Sequence, residues 1–576
     1  MNHTRQGHAG RLGRLCAALA ALSSLAAMPA AAGAAPAQAA VSRPSATPQA
    51  PQAAAPQPLL KGIVLLAAPG QLVEDGWPGT IQEVDASRLP DLAGADVRAD
   101  LRGLLGKPIT MPLMEDIRTA IGKRLLAMHR PYAAISFPRQ QVRDGVLQVL
   151  VIESRLGKVQ VEGAHYFSPR QYREALRMKS GDPLDTQTLS AAANAINGNK
   201  FRQAALVNSP GEEVGTTDLT IRAKDRLPLE FNFGFNNTGN NATNMYRLNA
   251  GVDWGNAFWR GDDLNYQFSA SPDLHKLQQH SLTYTTTMPW GDILSLMGSY
   301  ATNYNDAQGL VSSSGKNINA SARYAHALPP MGSANGRLTF GYDYKSTNNN
   351  VLFGGMTVFP TTTEIDQFLA SIDAGMPDRY GSTRIGLTLV GSPGNMTGRN
   401  TDAAFASQQA GASAHYAYAR LQLERVTTLP ARLNWHSLVT AQVSSGNLLP
   451  SEQLVFAGRQ SVRGFVEQSA TRDEGVTWQN ELRAPELGKS LGKLLGLGER
   501  AGTFTPYLFL DAGVGNNHTR LDGAPSSRVS VISAGPAMSW QLSSRLTVNV
   551  SWGFPLLREG NVGQRLGPEF DIQAVF

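Results

Sequence analysis

The chain contains one cysteine, Cys16, and only 7% aromatic residues in 576. Because Cys16 lies in the N-terminal leader described below, the rest of the chain can form no disulfide and no thiolate metal site. After the leader the sequence has no apolar run of 18 or more residues, which excludes a transmembrane helix. A membrane β-barrel is not excluded, because its strands turn only every second residue towards lipid.

Motifs of common enzyme classes are also missing. The ten histidines include no HExxH pair, and the chain has neither a G-x-S-x-G turn nor a P-loop. Three arginines of the leader contribute to the formal net charge of +6. The small charge of the rest of the chain is typical of a solvated protein surface. We therefore expect no enzymatic activity, no cofactor, no metal and no nucleic-acid partner.

Residues 1–34 have the three regions of a secretory signal peptide. Arg5, Arg11 and Arg14 precede an apolar run from Leu15 to Ala32, and small residues follow. Residues 35–58 are rich in Pro, Ala and Gln, which predicts a flexible or polyproline-like spacer.

The pattern of helix and strand signals over residues 59–228 predicts two small α/β domains, which we place at 59–155 and 156–228. Thr110 can cap a helix whose apolar residues recur at helical spacing. Ser168-Pro169 starts another helix, with Ser as N-cap and Pro at the first helical position. The second domain follows the order strand, helix, helix, strand, strand, which is that of a POTRA domain.

From about Leu229 the hydrophobic period changes from 3.6 to 2. One face of each segment is apolar and the other is polar and small, and polar turns separate the segments. Residues 229–576 hold room for 14 to 18 strands, and we count sixteen. The pattern predicts an antiparallel transmembrane β-barrel with a hydrated lumen. Its last strand runs from Phe570 to the C-terminal aromatic Phe576, an ending found in many bacterial outer-membrane barrels.

One loop of this predicted barrel, residues 446–474, carries the run Val462-Arg463-Gly464-Phe465. Downstream, Phe509, Asp511 and Gly513 share one face of a strand whose other residues are apolar. The period of two turns Asp511 inward, where it can pair with Arg463. An arginine brought inside a barrel needs a partner, because an unpaired buried charge is costly, and its fork fits a carboxylate bidentately.

These features together resemble the TpsB transporters of two-partner secretion, a branch of the Omp85 superfamily that includes haemolysin activators. The resemblance covers nearly the whole chain after the leader, and it extends to Asn236–Gly239 and Arg260–Asp262 in the first barrel hairpin. It implies an outer-membrane location, periplasmic POTRA domains, and a loop that folds into the lumen and is anchored by Arg463 and Asp511.

The resemblance also implies the partners. A secreted TpsA-type exoprotein would bind the POTRA domains in unfolded form through its N-terminal secretion domain. The helix at 110–129 and the strand near 201–207 are candidate contact elements. Periplasmic chaperones, outer-membrane lipid and the barrel assembly machinery, which reads the last strand at Phe570 and Phe576, complete the set.

Two other functions remain open at this point. An assembly insertase of the same superfamily would have more POTRA domains, typically five. A passive porin would lack both the POTRA domains and the loop motif. Family members often carry a pore-plugging N-terminal helix, and the spacer before the first POTRA domain is too rich in Pro to form one.

Overall fold

The computed structural model describes residues 57–240, 242–307, 311–353, 356–359, 361–496, 501–519 and 527–576. The predicted signal peptide, with Cys16, and residues 35–56 of the predicted spacer lie outside the described residues. Within the described part, no helix is both long enough and apolar enough to cross a membrane.

The first α/β unit packs two helices on a four-stranded sheet. Thr110 Oγ1 accepts a hydrogen bond from Leu113 N, which begins the longer helix as the sequence predicts. That helix buries Ile117 and Ile121 one turn apart. The sheet order is β2-β1-β4-β3. The elements are β1 (Gly62–Leu66), β2 (Val84–Asp85), α1 (Ala95–Arg102), α2 (Met111–Ala127), β3 (Ala133–Ser136) and β4 (Val146–Glu153).

The second unit has a three-stranded sheet in the order β5-β7-β6, with β5 parallel to β7. A capping box starts its first helix: Gln171 N donates to Ser168 Oγ, and Ser168 N donates to Gln171 Oε1. The elements are β5 (Arg155–Glu162), α3 (Pro169–Leu176), α4 (Thr186–Asn197), β6 (Arg202–Pro210) and β7 (Thr216–Asp225). The second unit follows the predicted order of strand, helix, helix, strand, strand, whereas the first has an additional short strand, β2, before its helices.

The remaining strands form a closed antiparallel barrel. Over the described residues it contains eighteen segments, and two neighbouring pairs of these are pieces of one strand each, so the wall has sixteen strands, as predicted. The first eight are β8 (Leu229–Asn236), β9 (Arg247–Ala257), β10 (Asp262–Ala270), β11 (Leu277–Thr287), β12 (Ile293–Ala307), β13 (Val311–Met331), β14 (Ala334–Phe353), and β15 (Met356–Phe359) with β16 (Thr362–Asp378).

The second half of the barrel ends on the first strand, because β27 pairs with β8. Phe576 O accepts from Phe231 N, and Phe576 N donates to Phe231 O. The strands are β17 (Gly381–Pro393), β18 (His415–Thr428), β19 (Asn434–Ser444), β22 (Glu474–Arg483), β23 (Thr503–Asn516), β24 (Arg528–Gln541), β25 (Leu546–Ser551) with β26 (Phe554–Glu559), and β27 (Glu569–Val575).

Alternating exposure separates the lipid face from the lumen face. On β23, Leu508 and Leu510 are 61% and 45% exposed, whereas Phe509 and Asp511 are 4% and 0% exposed. The direction of each side chain is the one that the period of two predicts. Asp511 therefore lies on the inner wall.

Two short helices lie in barrel connections where the sequence analysis placed none. They are α5 (Asp402–Gln408), between β17 and β18, and α6 (Gly488–Leu495), between β22 and β23. Phe405 of α5 is fully buried against strand residues including Tyr416. This helix therefore packs inward at the rim far from the α/β units.

The second α/β unit is attached directly to the near rim of the barrel. Lys200 Nζ lies 2.7 Å from Glu230 Oε1 of β8. Gln171 Nε2 donates to Asn256 Oδ1 of β9 at 2.7 Å, and Asn256 Nδ2 donates to Tyr166 O at 2.9 Å. These contacts join α3 and the segments beside it to the start of the barrel.

Between β19 and β22 the chain does not stay outside the barrel. Residues 445–473, called the inward loop below, return into the lumen and include a small ladder between β20 (Leu454–Val455) and β21 (Thr471–Arg472). Wall glycines make room for it: a Cβ on Gly513 would lie 3.0 Å from Phe456 Cδ1 and 3.3 Å from Val462 Cγ2.

A leucine at position 513 should therefore displace the inward loop. Overpacking of this kind costs about 1–3 kcal/mol, which corresponds to a roughly five- to hundredfold rise in the open fraction. The readout is maleimide labelling of Ser461→Cys in a chain whose Cys16 is replaced by Ser, because Ser461 is only 4% exposed. Gly298→Leu is the matched control, since no atom lies within 4 Å of a Cβ built there. Equal labelling in both variants would contradict the packing.

Candidate functional site

The candidate site is the place where Arg463 of the inward loop meets the lumen wall. Its guanidinium is forked on one carboxylate: Nε lies 2.7 Å from Asp511 Oδ2, and Nη2 lies 2.8 Å from Asp511 Oδ1. Arg463 N also donates to Asp511 Oδ2, at 3.2 Å. Arg463 is 4% exposed and Asp511 is fully buried. The pair is thus bidentate, desolvated and reinforced by the backbone.

A second carboxylate, which the sequence analysis missed, holds the remaining edge of the guanidinium. Arg463 Nη1 donates to Glu481 Oε1 at 2.7 Å. Glu481 lies on β22 directly opposite Phe509. The alternation of Trp478, Asn480 and Leu482 turns Glu481 inward, so the rule that found Asp511 could also have found it.

Glu481 connects this pair to other charges of the wall. Its Oε2 accepts from Arg483 Nε at 2.8 Å and lies 3.6 Å from His436 Nδ1. His436 Nε2 lies 3.0 Å from Glu424 Oε1, one strand further round the barrel. Arg463 therefore connects the inward loop to a network of charged side chains on β18, β19, β22 and β23.

The Arg463 guanidinium also lies over an aromatic ring. Its central carbon is 3.9 Å from the centroid of Phe509, an arrangement that adds cation–π attraction in a desolvated site. Although burial lowers the pKa of Arg463, its hydrogen bond to Asp511 and the charges of Asp511 and Glu481 raise that pKa above its usual value. The guanidinium therefore stays charged at every physiological pH.

The other motif residues fix the loop backbone beside the arginine. Gly464 has a φ of +83°, and a Cβ on it would lie 2.8 Å from Gly553 O. That conformation and that contact both favour glycine. Val462 and Phe465 are fully buried in an apolar cluster of the loop and the inner wall. They contribute packing, while Arg463 contributes the charge.

The loop also pairs through its backbone with the segment that precedes the last strand. Phe465 forms a β-bridge with Gln564. Val466 N donates to Gly563 O at 2.8 Å, and Arg565 N donates to Gly464 O at 3.1 Å. The motif is therefore anchored on two sides of the lumen.

The outer part of the inward loop is held by two further buried acids. Glu452 contacts Lys345 Nζ at 2.5 Å and accepts from Tyr418 OH at 3.1 Å. Asp473 Oδ1 accepts from Leu448 N and from Gln453 Nε2, each at 2.8 Å. The loop is thus fastened along its length and not only at Arg463.

The structure brings Val462, Arg463, Gly464 and Phe465 together with Phe509, Asp511 and Gly513, but it places Phe570 and Phe576 elsewhere. Those two rings lie on the outer face of the closing strand. The Phe570 ring lies 5.5 Å from that of Phe235, and the Phe576 ring lies 6.2 Å from that of Phe233. Within the described part of the chain, no group of three or more His, Cys, Asp and Glu side chains could hold a metal ion.

The chain is similar to known secretion proteins. The family model for haemolysin secretion/activation proteins ShlB/FhaC/HecB matches residues 215–538, more than half of the chain. The heme/hemopexin transporter protein HuxB of Haemophilus influenzae is 23% identical over 483 residues, covering 79% of this chain and 80% of HuxB. Outer membrane transporter CdiB of Dickeya dadantii is 24% identical over 453 residues, covering 75% and 76%.

A solved structure has the same fold. CdiB from Escherichia coli superposes with a TM-score of 0.72 at 18% identity, and the match covers 92% of this chain and 93% of that one. The fold of the described residues therefore agrees with the family match. The chain belongs to the haemolysin secretion/activation family ShlB/FhaC/HecB, the outer-membrane TpsB transporters of two-partner secretion.

Proposed function

We propose that this transporter receives one secreted partner protein in unfolded form at two periplasmic POTRA domains, residues 59–155 and 156–228, and passes it through the barrel lumen. The observation that carries the proposal is the inward loop, whose motif is fixed by a buried, bidentate arginine on the lumen wall. Because the periplasm holds no nucleotide, folding of the partner outside the cell is the driving force.

In this proposal the pair Arg463–Asp511 keeps the inward loop in the position that transport requires. Removing one member of a buried ion pair costs about 3–5 kcal/mol, since the other charge is left without compensation. Here two carboxylates, Asp511 and Glu481, would be left facing each other across the vacated site. The loop would then leave the wall or the wall would distort.

Arg463→Ala should therefore abolish secretion of the partner while the barrel still assembles. Arg463→Lys keeps the charge but cannot form the fork, so we expect partial secretion. The measurement compares the exoproteins in the medium of a deletion strain complemented with wild type or variant, alongside heat-modifiable gel migration of the barrel. Arg545→Ala, in an exposed turn, is the control. Wild-type secretion by a normally assembled Arg463→Ala barrel would refute the role.

The candidate receiving edge is β6, the strand that the sequence analysis singled out near residues 201–207. Ala204 N donates to Asn197 Oδ1 and Ala204 O accepts from Asn197 Nδ2, so both groups point away from β7. In an antiparallel pair, the backbone N–H and C=O groups of every second residue point away from the partner strand. Leu206 and Asn208 therefore present outward N–H and C=O groups, to which an extended partner segment can add as a strand.

Asn208→Pro removes one of these outward donors without removing a hydrogen bond between β6 and β7. Loss of one hydrogen bond weakens binding by about 0.5–1.5 kcal/mol, so binding of the partner's N-terminal secretion domain to the purified transporter should fall roughly two- to tenfold. Asn208→Ala keeps the N–H and is the matched control. Should both variants bind equally, the strand-addition geometry would be wrong.

The last strand carries the proposed signal for assembly. After delivery by periplasmic chaperones, the assembly machinery would read Phe570 and Phe576, whose rings lie outward where lipid surrounds the finished barrel. Phe576 is 62% exposed, so its ring adds little to the folded wall.

Deleting Phe576 should lower the amount of folded barrel in the outer membrane several-fold, because both the signal and two backbone hydrogen bonds to Phe231 are lost. Heat-modifiable migration on gels of outer-membrane fractions measures the folded fraction. Phe554→Ala, which removes an outward ring from the neighbouring strand, is the control. If both variants assembled like wild type, the signal would not reside in Phe576.

A further inference from the structure

A cleft lies on the outside of the barrel, away from the inward loop. It lies between α3 of the second α/β unit and the near rim of the barrel, and its volume is about 790 Å³. On the barrel side it is lined by the turn at Trp259–Gly261 and by Tyr284. Tyr284 and Leu282 lie on the same face of β11, which is the outward one because Leu282 is 46% exposed. The cleft therefore opens towards the membrane and the periplasm, not the lumen.

The cleft is rich in arginine. Arg170, Arg177, Arg202 and Arg260 all line it. Two acids also line it, but partners occupy both. Glu174 Oε1 lies 2.6 Å from Arg170 Nε. Asp262 accepts from Tyr284 OH and from Thr286 Oγ1, and it lies 3.4 Å from Arg260 Nε. Arg177 and Arg202 are left with no carboxylate partner among the described residues.

Arg202 is the central group, because it is only 8% exposed. Its Nε donates to Ile196 O at 3.0 Å, and its guanidinium carbon lies 5.2 Å from the Phe167 centroid and 5.6 Å from the Tyr172 centroid. Its Nη1 points into the cleft towards Gly261, lying 3.6 Å from a Cβ built there. Burial lowers the pKa of Arg202. A buried cation without a counter-charge is costly, and an anion in the cleft would remove that cost.

The height of the cleft on the barrel identifies the anion. Trp259 and Trp290, 77% and 61% exposed, lie on the near rim beside it. Trp254 and Phe258 form an outward aromatic cluster with Trp259. Girdles of exposed aromatic residues mark the membrane–water interface of barrels, and clusters of basic side chains at a membrane surface attract anionic lipid headgroups. The cleft thus lies where the phosphates of the periplasmic leaflet are found.

We propose that this cleft binds a phosphate group, that of an anionic phospholipid of the periplasmic leaflet, with Arg202 and Arg177 as its ligands. A lipid held there would bridge α3 and the barrel rim, next to the contact between Gln171 and Asn256. Arg202 is the first residue of β6, but the cleft is not lined by Leu206 or Asn208 of the proposed receiving edge, nor by the inward loop.

The test is a titration of the purified full-length protein in detergent with short-chain phosphatidylglycerol, followed by native mass spectrometry. Wild type should bind one phosphatidylglycerol in preference to phosphatidylcholine. Arg177→Gln/Arg202→Gln should bind about tenfold more weakly, the loss expected for charge-assisted hydrogen bonds. Arg173→Gln, on α3 one turn before Arg177 but outside the cleft, is the matched control and should bind like wild type. Heat-modifiable migration and thermal unfolding check that each variant is folded.

Arg177 is exposed and keeps the proposal testable if Arg202→Gln does not fold, because Arg177→Gln alone should already weaken binding several-fold. Unchanged binding by Arg177→Gln and the double variant would overturn the proposal, and so would equal binding of phosphatidylcholine. Inorganic phosphate provides the second arm. If it displaces the lipid at millimolar concentration, the site is one for free phosphate and the lipid assignment is wrong. If it does not, the headgroup assignment stands.

Discussion

A single guanidinium between two buried carboxylates joins the motif of the inward loop to the lumen wall. Arg463 brings a positive charge into a buried part of the lumen. Such a charge is stable there only when its hydrogen-bonding groups are paired with negative charges. Asp511 pairs with one edge of the guanidinium and Glu481 with the other, and the Phe509 ring lies against the guanidinium plane. The glycines of the motif and of the wall follow from this constraint, since the backbone must come close enough for Arg463 N to reach Asp511 as well.

The barrel wall has two kinds of surface. Outside, apolar and aromatic side chains face lipid. Inside, each charged group depends on its neighbours, from Glu424 through His436 and Glu481 to the loop. The second α/β unit is joined to the near rim both by an ion pair, Lys200 to Glu230, and by neutral hydrogen bonds such as Gln171 to Asn256. Charged and neutral polar contacts thus hold both the inward loop and the second unit to the barrel wall.

Much of this architecture is predictable because it is periodic. Alternation over β23 placed Asp511 inward, the length after Leu229 gave sixteen strands, and the caps Thr110 and Ser168 began helices as expected. Helices α5 and α6 were not predicted, because seven or eight residues inside a polar connection carry too few turns to show a period. The contacts of Lys200 and Gln171 with the barrel join distant parts of the chain, and no local pattern encodes them. Glu481 could have been predicted, because the alternation along β22 places it on the inner face. It was missed because only one acidic partner was sought for Arg463.

The backbone bridge between Phe465 and Gln564 gives the inward loop a second role. Residues 563–565 lie between β26 and the closing strand, and two of their backbone groups are paired with the loop and not with another strand. The loop therefore completes the hydrogen bonding of the wall where the last hairpin leaves it open. Displacing the loop would leave these peptide groups without their partners, so the connection before the closing strand depends on the loop for part of its hydrogen bonding.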